Sequence, residues 1–160
     1  MEIRNIRIEE RLIHGQVVIV WLSHLHPDRI IIIDNETSTN EMQKKLLRMV
    51  CPPGTNLSIF SVDRAIERLG ENPYEGEGVF ILFKDPENLK EFFDKGYPIQ
   101  EVNVGNMGGK KNSVLVKKGV SVTSEQAQIF RDLCSKGVKF TAKMVPNDSE
   151  VDFMKLIENL

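Results

Sequence analysis

Apolar residues alternate with stretches of helical spacing along most of the chain. Ile3, Ile6 and Ile8 lie in an alternating stretch over residues 3–8, which reads as a strand. Residues 16–24 carry the dense apolar run Val17, Val18, Ile19, Val20, Trp21 and Leu22 and read as a helix. "RIIIID", 29–34, is continuously apolar until Asp34, as a strand buried on both faces would be. Thr39 or Asn40 is placed to cap a helix through about Met49, with Met42, Leu46, Leu47 and Val50 on one face. Cys51-Pro52-Pro53-Gly54 stops it.

The same alternation continues to the end. Residues 56–61 read as a strand and 62–69 as a helix ended by Gly70. "GVFILF", 78–83, is a second continuously apolar strand, and Asp85-Pro86 opens a helix through Lys95. "EVNV", 101–104, is a short strand leading into the loop "GNMGGKKN". Residues 114–122 give short pairing segments. Ser124 is placed to cap a helix through Ser135, and residues 139–145 alternate. Asp148 or Ser149 is placed to cap a last helix to Leu160. Strands alternating with helices predict an α/β fold: one open, mainly parallel sheet of about six or seven strands with helices on both faces. Ligands of such folds bind beyond the C-terminal strand ends, near a switch in strand order. That edge would collect Arg11 to Gly15, Asp34, Lys84 and Gly105 to Lys111.

Composition narrows the function classes. With 160 residues the chain suits one domain, and 41% apolar with 28% charged residues is ordinary for a globular protein. A net charge of −2 gives no basic footprint for nucleic acid. No stretch has the roughly 20 apolar residues of a membrane span, and the charged start "MEIRNIRIEERL" is no secretory signal. Cys51 and Cys134 read as two free thiols in a reducing cytoplasm. The scattered histidines and cysteines show no metal-ligand spacing, and nothing calls for a cofactor.

The chemistry concentrates in "EERLIHGQVV", 9–18. His14 lies where a strand ends and a helix begins. A neutral imidazole is a good nucleophile toward phosphorus near neutral pH. Arg11 offers a fork of donors, Gly15 permits close backbone approach, and the helix start at Gln16 adds outward N–H groups. The plain alternative is a histidine that merely caps the turn. His24 and His26 read as the surface end of a helix. "GNMGGKK" fails the G-x-x-x-x-G-K-[ST] phosphate-loop pattern, yet it can form an anion lip through Lys110 or a simple glycine turn.

"RLIHGQVV" resembles the phosphorylation site of the IIB components in the mannose/fructose/sorbose family of the bacterial phosphoenolpyruvate-dependent sugar phosphotransferase system. "DRIIIIDNE", "LLRMVCPPG", "ILFKDPE", "IQEVNVGNMG", "VSVTSEQ" and "VKFTAKMVPNDS" resemble the family's other blocks, in order, over essentially the whole chain. The resemblance implies one IIB domain over residues 1–160, with no IIA domain fused to it. It implies a protein-Npi-phosphohistidine–sugar phosphotransferase. Such a protein takes a phosphoryl group from a IIA component and gives it to a sugar entering through membrane IIC and IID components. It implies phosphorylation of His14 at Nδ1, with Arg11 holding the phosphoryl group; Gly15, Gln16 and Lys110 are further phosphate-binding candidates from their positions in the turn and the glycine loop. It also implies a cytoplasmic protein held at the inner face of the membrane by IIC and IID. Glu9-Glu10 replaces the family's commoner aspartates, and the glycine loop departs from its commoner Gly-Gly-Met-Arg. The alternative is a regulatory or anion-binding protein that keeps the fold and transfers no phosphate.

Overall fold

The computed structural model describes residues 1–160. Its chain order is β1 (Glu2–Glu9), α1 (Gly15–Leu25), β2 (Arg29–Ile33), α2 (Asn35–Ser38), α3 (Glu41–Val50), β3 (Asn56–Phe60), α4 (Val62–Gly70), β4 (Gly78–Phe83), α5 (Pro86–Asp94), β5 (Glu101–Asn106), β6 (Val114–Lys117), β7 (Val120–Val122), α6 (Ser124–Ser135), β8 (Lys139–Ala142), β9 (Val151–Asp152) and α7 (Phe153–Leu156). Seven strands form one sheet in the order β3-β2-β4-β1-β5-β8-β9, and β6 and β7 form a separate hairpin. All pairs in the large sheet are parallel except β8 with β9. The expected open, mainly parallel α/β sheet is therefore present.

Strand order explains which strands are wholly apolar. In β2, Ile31 and Ile33 enter the larger core while Ile30 and Ile32 enter the smaller one. In β4, Val79, Ile81 and Phe83 face the larger core, and Phe80 and Leu82 the smaller. Helices α4, α5 and α6 contribute Val62, Ala65, Leu89, Phe92, Ala127 and Phe130 to the larger core. Helices α1 and α3 contribute Val18, Trp21 and Leu47 to the smaller. The sheet is thus covered on both faces. At β1 the following helix leaves toward one face, whereas the helices after β4 and β5 leave toward the other. That change of side opens a crevice at the C-terminal end of β1.

Several local expectations are corrected. Pairing of β1 with β4 slips between Ile3 and Asn5, so β1 does not alternate evenly and Ile3 joins Ile6 and Ile8 on the larger core. Of the two expected caps of α3, Asn40 is the one used, accepting from Gln43 N–H. Of its expected apolar face only Leu47 is buried; Met42, Leu46 and Val50 are exposed, because no further layer packs over α3. Thr123, not Ser124, caps α6 in a reciprocal bond pair with Gln126. β5 runs on to Asn106, which puts Gly105 inside the strand. Neither Asp148 nor Ser149 starts the last helix. Asp148 instead accepts from the N–H groups of Met144 and Val145 in a turn, and Asp152 caps the single turn α7 after β9.

Candidate functional site

The β1–α1 turn is anchored from below. Leu12 and Ile13 are buried in the smaller core, and Leu12 N–H donates to Glu9 C=O at 2.9 Å. The tight turn holds Leu12 at φ 57° and Gly15 at φ 45°, so left-handed backbone flanks His14 on both sides. For Leu12 that conformation is tolerable only because its side chain is locked in the core. Arg11 and Gln16 are left exposed on either side of the histidine.

His14 occupies the N-cap position of α1, yet its side chain makes no capping bond. The plain capping alternative is thus set aside by the geometry. The first turn of α1 holds no acidic residue either, so its N–H groups meet no side-chain acceptor. The imidazole is 21% exposed, and its Nε2 lies 3.4 Å from Glu9 Oε2.

Glu9 is wholly buried, as is Arg7 two residues before it. Glu9 Oε1 lies 3.3 Å from Arg7 Nη2. Arg7 also donates to Lys143 C=O at 2.7 Å and to Met144 C=O at 3.0 Å. Its guanidinium carbon stands 5.0 Å from the centre of the Trp21 ring, and Trp21 Nε1 donates to Met144 C=O at 2.8 Å. Burial pushes the Arg7 guanidinium below the usual arginine range, and the charge of Glu9 opposes that shift. A Cβ on Gly105 would overlap the Arg7 guanidinium, so β5 needs glycine there. The strap at Lys143–Met144 is fixed in turn by Asn103, which both accepts from Lys143 N–H and donates to Lys143 C=O.

Each candidate from the sequence has a definite place. Arg11 is exposed beside His14 and makes no hydrogen bond or ion pair. Gly15 and Gln16 open α1. The loop after β5 lies at the same sheet edge as the β1 turn: Glu10 N–H donates to Asn106 C=O, and a cleft of about 130 Å³ is lined by Glu10, Lys84, Gly108, Gly109 and Lys110 among others. Lys110 there faces Glu87 at 3.3 Å and makes no contact with His14. Asp34 is not in the site; it caps α2 and accepts from Thr37 and Asn88. His24 and His26 sit at the end of α1, His26 as a left-handed C-cap. No group of three or more His, Cys, Asp or Glu residues could hold a metal. Arg7 was missed in the sequence because it looks like a polar member of a strand, and Glu9 because, next to Glu10 and Arg11, it reads as the charged edge of a loop; the structure instead buries it at the end of β1. Gly105, directly after the alternating Val102-Asn103-Val104, was the available signal.

Comparison with known proteins matches this arrangement to one family. Residues 3–160 fit the family described as "PTS system sorbose subfamily IIB component". The chain is 34% identical to the sorbose-specific EIIB component of Lacticaseibacillus casei over 96% of its own length and 94% of that protein. It is 33% identical to the fructose-specific EIIB component of Bacillus subtilis, covering 100% of this chain and 98% of that one. The crystal structure of the IIBSor domain of the Klebsiella pneumoniae sorbose permease superposes with a TM-score of 0.93 at 33% identity, over 99% of this chain and 97% of that one. The fold, the turn that presents His14 and these likenesses together place the chain in the mannose/fructose/sorbose family of phosphotransferase-system IIB components.

Proposed function

We propose that His14 accepts a phosphoryl group at Nδ1 from a phosphohistidine on a IIA component. It then passes that group to a sugar of the mannose/fructose/sorbose class moving through membrane IIC and IID components. The observation that carries this reading is the state of His14. It stands at the C-terminal sheet edge, accessible to partners, with no capping bond to occupy it and the uncapped first turn of α1 beside it. Arg11, with no protein partner, is free to bond two phosphoryl oxygens. The N–H groups at Gly15 and Gln16 supply further donors at a helix start. Lys110 contributes positive charge to the edge more weakly, because Glu87 already faces it.

The relatives support the same partners. The matched proteins are named for sorbose and fructose, and a 32% identical Escherichia coli protein is named as a mannose-specific EIIAB component. This chain covers 48% of that protein, which fits a B part working next to an A part. On this reading residues 1–160 act as one IIB domain. No helix is long and apolar enough to cross a membrane, and we assign the protein to the cytoplasmic face, docked on IIC and IID.

The test is to incubate the protein with phosphoenolpyruvate, the general phosphotransferase proteins and a cognate IIA component. Acid-labile, base-stable phosphate is expected on wild type and on His24→Ala and His26→Ala, and none on His14→Ala. The His14→Ala variant should melt close to wild type, since the imidazole sits at the turn's surface and truncating it opens Glu9 Oε2 to water. Phosphate retained by His14→Ala would remove the assignment.

A further inference from the structure

We propose that Glu9, itself held by Arg7, is the positioning residue that decides which nitrogen of His14 bonds to phosphorus. The inference rests on the reading of His14 as the phosphoryl acceptor. Three distances motivate it. Arg7 Nη2 lies 3.3 Å from Glu9 Oε1, Glu9 Oε2 lies 3.4 Å from His14 Nε2, and Arg7 Nη1 lies 2.7 Å from Lys143 C=O. Glu9 Oε2 and His14 Nε2 are both shielded from water, and neither has any hydrogen-bond partner. At 3.4 Å, each is in reach of the other.

A neutral imidazole carries one N–H, on either nitrogen. An anionic oxygen facing Nε2 favours the proton there, which leaves the Nδ1 lone pair as the nucleophile. In the acceptance step that lone pair forms the Nδ1–P bond while the donor's N–P bond breaks, and the donor ring nitrogen keeps that electron pair. The His14 ring becomes a phosphorylated imidazolium without losing a proton. Its positive charge then lies against the Glu9 carboxylate on the shielded Nε2 side of the ring, where such a charge is stabilised more than in solution. The 3.4 Å separation is long for a hydrogen bond in the unphosphorylated protein and is expected to tighten as charge develops. When the phosphoryl group leaves, the bonding pair returns to Nδ1 and the ring is again the Nε2–H tautomer it began as.

Arg7 makes this possible. A carboxylate buried completely needs a charged partner to remain ionised. Arg7 occupies one oxygen and is fixed by two backbone carbonyls and the Trp21 ring, so a full positive charge sits against Glu9 and its second oxygen is left toward the histidine. The order along β1 is then a chain of dependence: strap, Arg7, Glu9, His14.

The experiment uses full-length wild type, Glu9→Gln and Glu9→Asp. Nitrogen NMR of the imidazoles reads the His14 tautomer without any phosphate present, and rapid-quench kinetics read phosphorylation by IIA. In wild type the Nε2–H tautomer is expected to dominate. In Glu9→Gln the amide can donate to Nε2 as readily as accept, so the tautomers should mix and acceptance should fall roughly 10- to 100-fold, the usual scale for a lost orienting partner. Glu9→Asp keeps the charge at a longer reach and should recover at least part of the loss. A wild type in which Nδ1 carries the proton would overturn the proposal even if His14 is phosphorylated. So would a Glu9→Gln protein with unchanged tautomer and unchanged rate. Absence of phosphate from wild-type His14 would instead defeat the functional reading, and the tautomer measurement separates the two failures.

Discussion

Arg4 and Arg7 lie at opposite ends of one strand, and each is laid across a glycine of a neighbouring strand. A Cβ on Gly78 of β4 would overlap the Arg4 guanidinium, as one on Gly105 of β5 would overlap that of Arg7. Each arginine reaches backbone carbonyls: Arg4 those of Leu25 and His26, Arg7 those of Lys143 and Met144. The slip in register between Ile3 and Asn5 brings both to the side of the sheet covered by α1. They part company at the charge. The Arg4 side chain is 30% exposed and its carboxylate partner, Glu2, is mostly in water at 3.5 Å. Arg7 and Glu9 are both 0% exposed. At the first end, water screens the cation and the arginine works as a staple. At the second, burial forces a full charge partner into the strand, and that partner's spare oxygen reaches the histidine.

The contrast is broken most severely by removing the buried cation. Arg7→Met leaves Glu9 buried without its partner and should cost about 3–5 kcal/mol of stability, read as a lower denaturation midpoint at unchanged slope. Arg11 is the third arginine of the region, exposed and unpaired. Arg11→Ala should leave stability within about 0.5 kcal/mol. It should raise the barrier to transfer by about 2–4 kcal/mol, checked by single-turnover phosphorylation. An Arg11→Lys protein should fall between that variant and wild type, because a point charge replaces a fork.

Substituting the two glycines sharpens the comparison at a smaller scale. Gly105→Ala must displace a guanidinium with nowhere to go, at about 1–3 kcal/mol, and should slow phosphorylation because Arg7 carries Glu9 with it. Gly78→Ala meets an arginine that can swing toward solvent, so it should cost less than Gly105→Ala and leave phosphorylation unchanged. Equal losses at the two glycines would mean that burial does not distinguish the two ends. The smallest effect is expected at the glycine loop. Lys110→Glu with Lys111→Glu should slow phosphorylation by IIA only at low salt, through weaker encounter. Because Glu87 already faces Lys110, the change should be modest.

How much of this was legible follows from the range of the interactions. β2 and β4 announce themselves because every residue of a strand covered on both faces must be apolar. The turn around His14 was legible because its parts are consecutive. Leu12 and Ile13 carried no signal of their own within that stretch, yet they are the anchors that fix the turn in the core. Arg7 and Glu9 were not legible as a buried pair. Their burial depends on Gly105 and on the strap at Lys143–Met144, which the sheet brings in from about a hundred residues away. Expecting a helix from Asp148 or Ser149 failed for a local reason. The Asp148 carboxylate was read as a cap, but it accepts from residues before it and closes a turn instead.

The measurement that bears most directly on the whole account is the location of the phosphoryl group on the wild-type protein. Phosphorylate the full chain through phosphoenolpyruvate, the general proteins and IIA. Then map the modified residue by mass spectrometry under basic conditions and the modified nitrogen by phosphorus and nitrogen NMR. The account predicts one phosphoryl group per chain, on His14, bonded to Nδ1, with the proton on Nε2 facing Glu9. A phosphoryl group on Nε2 of His14, or on His24 or His26, would contradict it.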